Sequence, residues 1–248
     1  MSQTVLYITS NPMKRRTVER FIRQHVPNFK IAAREVAFYE PQTLFESDVI
    51  AYKALEAWKI FRRPLIVDDA GFYLDEYEGF PGPLAKPIAI SLGWPGMLKL
   101  AAPSYRARVY CRLGYVDHKG LLHHYRGETV GTLDKTIGNS MVDKRGVYAL
   151  LRPDSSNMTI AEMVGTELAD IYSPRARALR AFVKNVFSDL VTISEQEENS
   201  AQQTDVLSPP GVDGEEEATS DLKASIEEQD CDLASLPEEN SSNDKDAD

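Results

Sequence analysis

Three apolar residues running straight into two carboxylates constrain this chain most tightly. Leu65, Ile66 and Val67 have the profile of a buried strand, and Asp68 and Asp69 follow where such a strand emerges. Adjacent carboxylates repel one another and resist leaving water, so a fold that sets them at a strand end supplies a cation. A hard ion such as Mg2+, held by carboxylate oxygens and neutralising phosphates, meets that need. A solvated turn meets it as well. The Gly79-Phe80-Pro81-Gly82-Pro83 stretch that follows reads as a stiff loop able to wall a pocket.

A second constraint lies at the amino-terminal end. Val5-Leu6-Tyr7-Ile8-Thr9 is a continuous strand candidate closed by Ser10-Asn11-Pro12, after which Val18, Phe21, Ile22 and Val26 recur at helical spacing. Strand, polar turn and helix together favour anions, because amides at a helix start lack partners. Asn11 can hold the turn while Lys14 supplies a mobile positive charge. The glycines and the Gly-Lys-Ser/Thr ending of a P-loop are absent. An ordinary capping turn with a surface lysine fits the same residues.

Further along, residues 29–38 read as a second strand and 44–61 as a long helix with Val49, Tyr52, Ala54, Leu55 and Trp58 as its buried stripe. Asp48 near that helix start suits the dipole, and a metal role requires it to face Asp68 and Asp69. Residues 84–92 read as a helix interrupted at Pro87, with further helical turns over 94–100. The segments 106–116 and 121–128 form a hairpin across Asp117-His118-Lys119-Gly120. His118, His123 and His124 lack a complete zinc set and read as turn and strand residues. Residues 142–151 suggest a strand or strand pair, with Arg145-Gly146 as a loop near a ligand. A short element begins at Thr159. Ser173 caps a last helix with Pro174 at its first position, and Ala176, Leu179, Phe182, Val183, Val186, Phe187 and Leu190 give it an apolar face.

Charge divides the chain in two. Residues 195–248 hold 18 acidic and 2 basic residues and no aromatic, a net of -16; the chain totals of 38 and 28 leave 20 and 26 in residues 1–194, a net of +6. We therefore expect a folded domain over 1–194 and an acidic, disordered tail over 195–248, since the tail has too few apolar side chains to offset ordering entropy. Leu222, Ile226, Leu233 and Leu236 could mark a protein-binding segment within it; a purely solubilising tail is the simpler reading. The mildly basic domain suits polyanions, from nucleotides to nucleic acid. The two cysteines, Cys111 and Cys231, form no disulfide framework, and no run approaches a membrane span, so a cytoplasmic protein without membrane association is expected.

Taken in order, Thr9-Ser10-Asn11-Pro12-Met13-Lys14, Asp48 with Lys53 and Ala54, Val67-Asp68-Asp69, Gly79-Phe80-Pro81-Gly82-Pro83 and Arg126-Gly127-Glu128 resemble the inosine triphosphate pyrophosphatase (Ham1-like) family over about residues 6–190. The resemblance implies an α/β fold with a mixed central sheet flanked by helices, two lobes around a nucleotide cleft, and a homodimer. It implies Mg2+-dependent hydrolysis of a nucleoside triphosphate to the monophosphate and pyrophosphate. By position, Thr9, Asn11, Lys14 and Lys53 match substrate-binding residues, Asp48, Asp68 and Asp69 match metal ligands, and Asp69 with Lys14 matches the catalytic pair.

The match weakens where the base should be read. The Gly-aromatic-Asp-Pro phrase falls on Gly146-Val147-Tyr148-Ala149, and the Ser-His-Arg ending on Ser173-Pro174-Arg175, with the upstream lysine position at Ala169. Arg175 survives while its expected companions do not. Tyr148 can stack on a base or donate a hydrogen bond to it. A catalytically impaired nucleotide-binding or interaction protein on the same fold is the alternative that these losses raise.

Overall fold

A computed structural model describes residues 4–136 and 146–187. The expected tail at 195–248 lies outside the described residues, as do the first four residues of the segment expected over 142–151. The core is a mixed sheet in the order β2 (Ile31–Arg34), β1 (Val5–Ile8), β3 (Leu65–Leu74), β5 (Arg106–Val116), β6 (Leu122–Leu133) and β7 (Leu151–Pro153), with the short β4 (Pro81–Gly82) paired to β3. β1 runs parallel to β2 and β3, while β3, β5, β6 and β7 are successively antiparallel.

One face carries α1 (Pro12–His25) and the last helix among the described residues, α6 (Pro174–Val186), which enclose Val5, Tyr7, Ile66, Leu113 and Tyr125 with Phe21 and Phe182. The other face carries α2 (Glu46–Phe61), whose Ile50, Ala54 and Ala57 cover Leu6, Ile8, Leu65 and Val67. A third cluster joins Phe72, Trp94, Met97, Val109 and Leu150 beneath α3 (Ala85–Leu100) and the single turn α4 (Val147–Leu150). The short α5 (Leu168–Tyr172) leads into α6.

Several sequence expectations change here. β3 does not end at the carboxylates; it continues through Asp68 and Asp69 to Leu74, in register with β5 along its whole length. Both aspartates are therefore buried mid-strand residues, tolerated there because cations reach them from both sides of the sheet. The strand expected over 29–38 shortens to four residues, as a sheet edge supplies a partner only along β1. Pro87 does not break α3, for it is the third helical residue, where the backbone needs no amide donor. The break falls at Gly93, whose φ of 65° lies in the left-handed region. The end of the segment expected as a strand over 142–151 is the helical turn α4, followed by β7.

The helix starts are as expected. Asn11 Oδ1 accepts from the Lys14 amide at 2.9 Å, and Ser173 Oγ accepts from the Ala176 amide at 3.3 Å, each with a proline next in the chain. α6 then lies directly on β6. A Cβ on Gly127 would sit 2.1 Å from the Pro174 carbonyl oxygen and 2.6 Å from the Ala178 nitrogen, so only glycine permits that approach. Gly127→Ala is expected to lift α6 and cost about 1–3 kcal/mol. Thermal unfolding checks this, with a lowered midpoint expected.

Candidate active site

β1 delivers Thr9 at its carboxyl end, and the turn into α1 is built from the predicted residues themselves. The Thr9 hydroxyl accepts from the Asn11 amide at 3.1 Å, and Asn11 in turn caps α1. These two side chains fix the loop, and Lys14 in the first helical turn reaches across to β3. Its Nζ lies 3.5 Å from Asp68 Oδ1.

Alternation along β3 turns the consecutive aspartates to opposite faces of the sheet. Asp68, 3% exposed, faces α6, where Arg175 Nε donates to its Oδ2 at 2.7 Å and the Cys111 thiol approaches the same oxygen at 3.7 Å. Burial would push the Asp68 carboxyl up, but Lys14 and Arg175 outweigh it and hold the group well below the ordinary carboxylate range. Burial likewise works against the Arg175 charge, and Asp68 overrides it, so the guanidinium stays protonated.

Asp69, 8% exposed, faces α2, and Lys53 Nζ stands 3.7 Å from its Oδ1. Here burial prevails over Lys53 and Lys14, and the carboxyl is pushed up from its ordinary value. Lys53 also donates to Glu40 Oε1 at 2.7 Å. Lys14 and Lys86 add to Lys53 in pulling the half-exposed Glu40 carboxyl down against its own partial burial. The surroundings of Asp69 thus include Lys14, Lys53 and, beyond Glu40, Lys86 at the start of α3.

Asp48 is not brought to this cluster. It is exposed, and its carboxylate accepts from Thr43 Oγ1 at 3.0 Å and Ser47 Oγ at 3.4 Å. Five helical residues separate it from Lys53, about 140° around the axis. Glu40, in the loop before the helix, is the carboxylate that pairs with Lys53 beside Asp69. Glu40 and Lys86 escaped the sequence reading. The available signal was a glutamate directly before Pro41 in the loop between β2 and α2, and a lysine three residues after the Gly79-Phe80-Pro81-Gly82-Pro83 turn.

Tyr148 is half-buried on α4 and packs against the Phe72 and Trp94 cluster, within electrostatic reach of Arg175. The Tyr110 hydroxyl, buried near Asp69, has no hydrogen-bond partner among the described residues, and the Tyr7 hydroxyl is buried beside the Asp68 carboxylate. Burial raises both phenols and keeps them neutral.

Among the described residues no three His, Cys, Asp or Glu side chains gather around a common point. Asp68 is taken up by Arg175 and Lys14, which leaves Asp69 and Glu40 as the available pair. Mg2+ is commonly held by one or two carboxylates together with waters and substrate phosphates, so this pair fits an ion that arrives with a polyphosphate.

The chain is matched by known proteins in sequence and in fold. A profile of the Ham1 family covers residues 5–185. The chain belongs to the Ham1 family. A dITP/XTP pyrophosphatase of Ignicoccus hospitalis is 30% identical over 190 residues, covering 75% of this chain and 98% of its own. An inosine triphosphate pyrophosphatase 2 of Trypanosoma cruzi is 30% identical, covering 71% of this chain and 89% of its own. The fold is shared with a HAM1 protein of Coxiella burnetii, with a TM-score of 0.58 at 15% identity over 75% of this chain and 98% of that one. The family profile leaves the residues after 185 unmatched.

The candidate site rests on the buried Asp68–Arg175 pair. Arg175→Met, which strands Asp68 with Lys14 alone, is expected to cost about 3–5 kcal/mol at neutral pH. The double variant Asp68→Asn/Arg175→Met should recover part of that loss, as read by urea unfolding. Because the folded carboxyl is held low, the contribution of Asp68 is full above its unfolded value of about 3.9 and is lost as pH falls toward the folded one.

Proposed function

We propose that the protein hydrolyses a nucleoside triphosphate between its α and β phosphates, with Mg2+, releasing the monophosphate and pyrophosphate. The observation that carries this reading is Asp69. It is buried, its carboxyl is raised, and it is fronted by Lys53 and Glu40 on the side that Lys14 also reaches.

Triphosphate charge is met by Lys14, Lys53 and Lys86, three flexible point charges that follow phosphate oxygens as they move. Thr9 and Asn11 act by holding the Lys14 loop. Asp69 orients a water and accepts its proton as the oxygen attacks the α phosphorus, and the bond from that phosphorus to the bridging oxygen breaks toward pyrophosphate. Positioning of the water supplies most of the effect, so the carboxylate need not be a strong base. Glu40 and Asp69 are the residues that would hold Mg2+, which neutralises charge on the phosphates and the departing pyrophosphate when bound.

The base is read differently from the family pattern. Tyr148 and Arg175 stand where the base-recognition motifs fall, and Arg175 is already committed to Asp68. The names of the relatives direct the substrate class to deaminated purine nucleotides such as dITP, XTP and ITP. The same reading takes residues 1–194 as the catalytic domain of a cytoplasmic homodimer, with the nucleotide between two lobes. That commitment of Arg175 also favours a second reading, a nucleotide-binding protein that has lost turnover.

A pyrophosphate-release screen over ITP, XTP, dITP and the common nucleoside triphosphates decides between them. Wild type should release pyrophosphate selectively, and Asp69→Asn should lose roughly 100-fold or more with its unfolding midpoint retained. Glu40→Gln should show its largest loss at low Mg2+. Asp48→Asn should keep wild-type turnover. Binding without release by wild type would move the protein to the second reading.

A further inference from the structure

At the opposite end of β1 from Thr9 lies a surface hollow of about 290 Å3, remote from the lysine and carboxylate cluster. Its walls are Val5, Val26, Phe29, Tyr115, Val186 and Phe187. Phe29 and Phe187 meet edge to face at 4.7 Å, and Phe182 lies beneath both. Phe29, Tyr115, Val186 and Phe187 are only partly covered. An apolar recess of this kind at the surface is a feature to be filled.

Its rim is basic. Lys30 and His118 line it, with Arg63 beside the wall residue Pro64 and Lys119 next to His118. None of these four forms an ion pair among the described residues; Arg63 donates to the Thr4 carbonyl, and the neighbouring Asp117 is taken by His123 at 3.0 Å. The chain leaves the described structure at Phe187, in the wall of this hollow, with 61 of its 248 residues still to come.

What comes next has the matching chemistry. Leu190, Val191 and Ile193 follow within a few residues of Phe187, and Glu195, Glu197 and Glu198 come directly after them. Three residues of extended chain span about 10 Å, enough to bring Leu190 over the hollow. A segment tethered at the rim also has a high effective concentration there. The family profile stops at residue 185, so this segment lies beyond what the family shares.

We infer that residues 188–198 of this same chain occupy the hollow, with Leu190, Val191 and Ile193 against its aromatic wall and the three glutamates facing Lys30, Arg63 and Lys119. This surface is independent of the nucleotide reading. One consequence follows for the whole molecule. The acidic tail is then anchored at the far end of β1, away from the lysines that a polyphosphate would need.

Hydrogen exchange by mass spectrometry on the full chain tests this. In wild type, amides of 190–198 should exchange at least about tenfold more slowly than an unstructured chain. The double variant Leu190→Asp/Ile193→Asp should abolish that protection and speed exchange in peptides covering 26–31 and 115–119. Peptides from β3 should be unchanged and so report an intact fold. Lys30→Glu, at an exposed position, should loosen the same two peptides. Random-coil exchange of 190–198 in wild type, or an unchanged hollow in either variant, overturns the inference. Protection of the hollow that grows with protein concentration also overturns it, assigning the surface to a second copy.

Discussion

The buried charge group around Asp68 is the interaction on which the arrangement depends. A carboxylate 3% exposed in the middle of a central strand would be neutralised or expelled if left alone. Lys14 from α1 and Arg175 from α6 meet it instead, so one side chain ties β3 to the starts of two helices. Those helix starts are set independently by Asn11 and Ser173, each followed by a proline. The caps and the ion pairs therefore agree on where α1 and α6 begin. Such a group adds little net stability over an apolar one of equal volume, but it penalises any arrangement that separates its members. Gly127 completes the fit by letting α6 approach β6.

How much of this could be read from the sequence depends on how local the determining signal is. Asn11-Pro12 and Ser173-Pro174 announced two helix starts because a cap acts within three residues. The β5–β6 hairpin was visible because alternation and a Gly-containing turn are also local. The path of β3 through Asp68 and Asp69 was not, since what makes a buried carboxylate tolerable is Arg175, more than a hundred positions away. The sequence also could not say whether Asp48 faces Asp68 and Asp69, for a related reason. A position in an alignment says nothing of which way a helix faces, and Asp48 lies about 140° from Lys53 around α2.

The same helix shows why Lys53 is well placed. Glu46, 6% exposed and seven residues earlier on the same side of α2, is gripped by Arg112 and Arg126 from the open sheet face at 2.9 Å and by Tyr73 Oη at 2.8 Å. Burial would raise its carboxyl, and the two arginines and the tyrosine more than offset that. The first turn of α2 is thereby fixed against β5 and β6, and Lys53 projects from a helix that cannot easily rotate. Neither arginine belongs to the expected site, yet both help decide where a site lysine stands.

The site thus has a permanent half and an exchangeable half. Asp68 and Arg175 are buried together with Lys14 partly covered beside them, and separating them leaves a charge uncompensated in the core. The Glu40–Lys53 contact differs, because the Glu40 side chain is 52% exposed and such pairs contribute about 0–1 kcal/mol. On the proposed reading, a triphosphate takes over Lys53 from Glu40 at little cost, freeing a carboxylate next to Asp69 as phosphate oxygens arrive. Lys14 retains Asp68 as its buried partner while its ammonium faces the same approach. Such an exchange, on that reading, rearranges the surface of the candidate site and leaves the strand that carries both aspartates where it was.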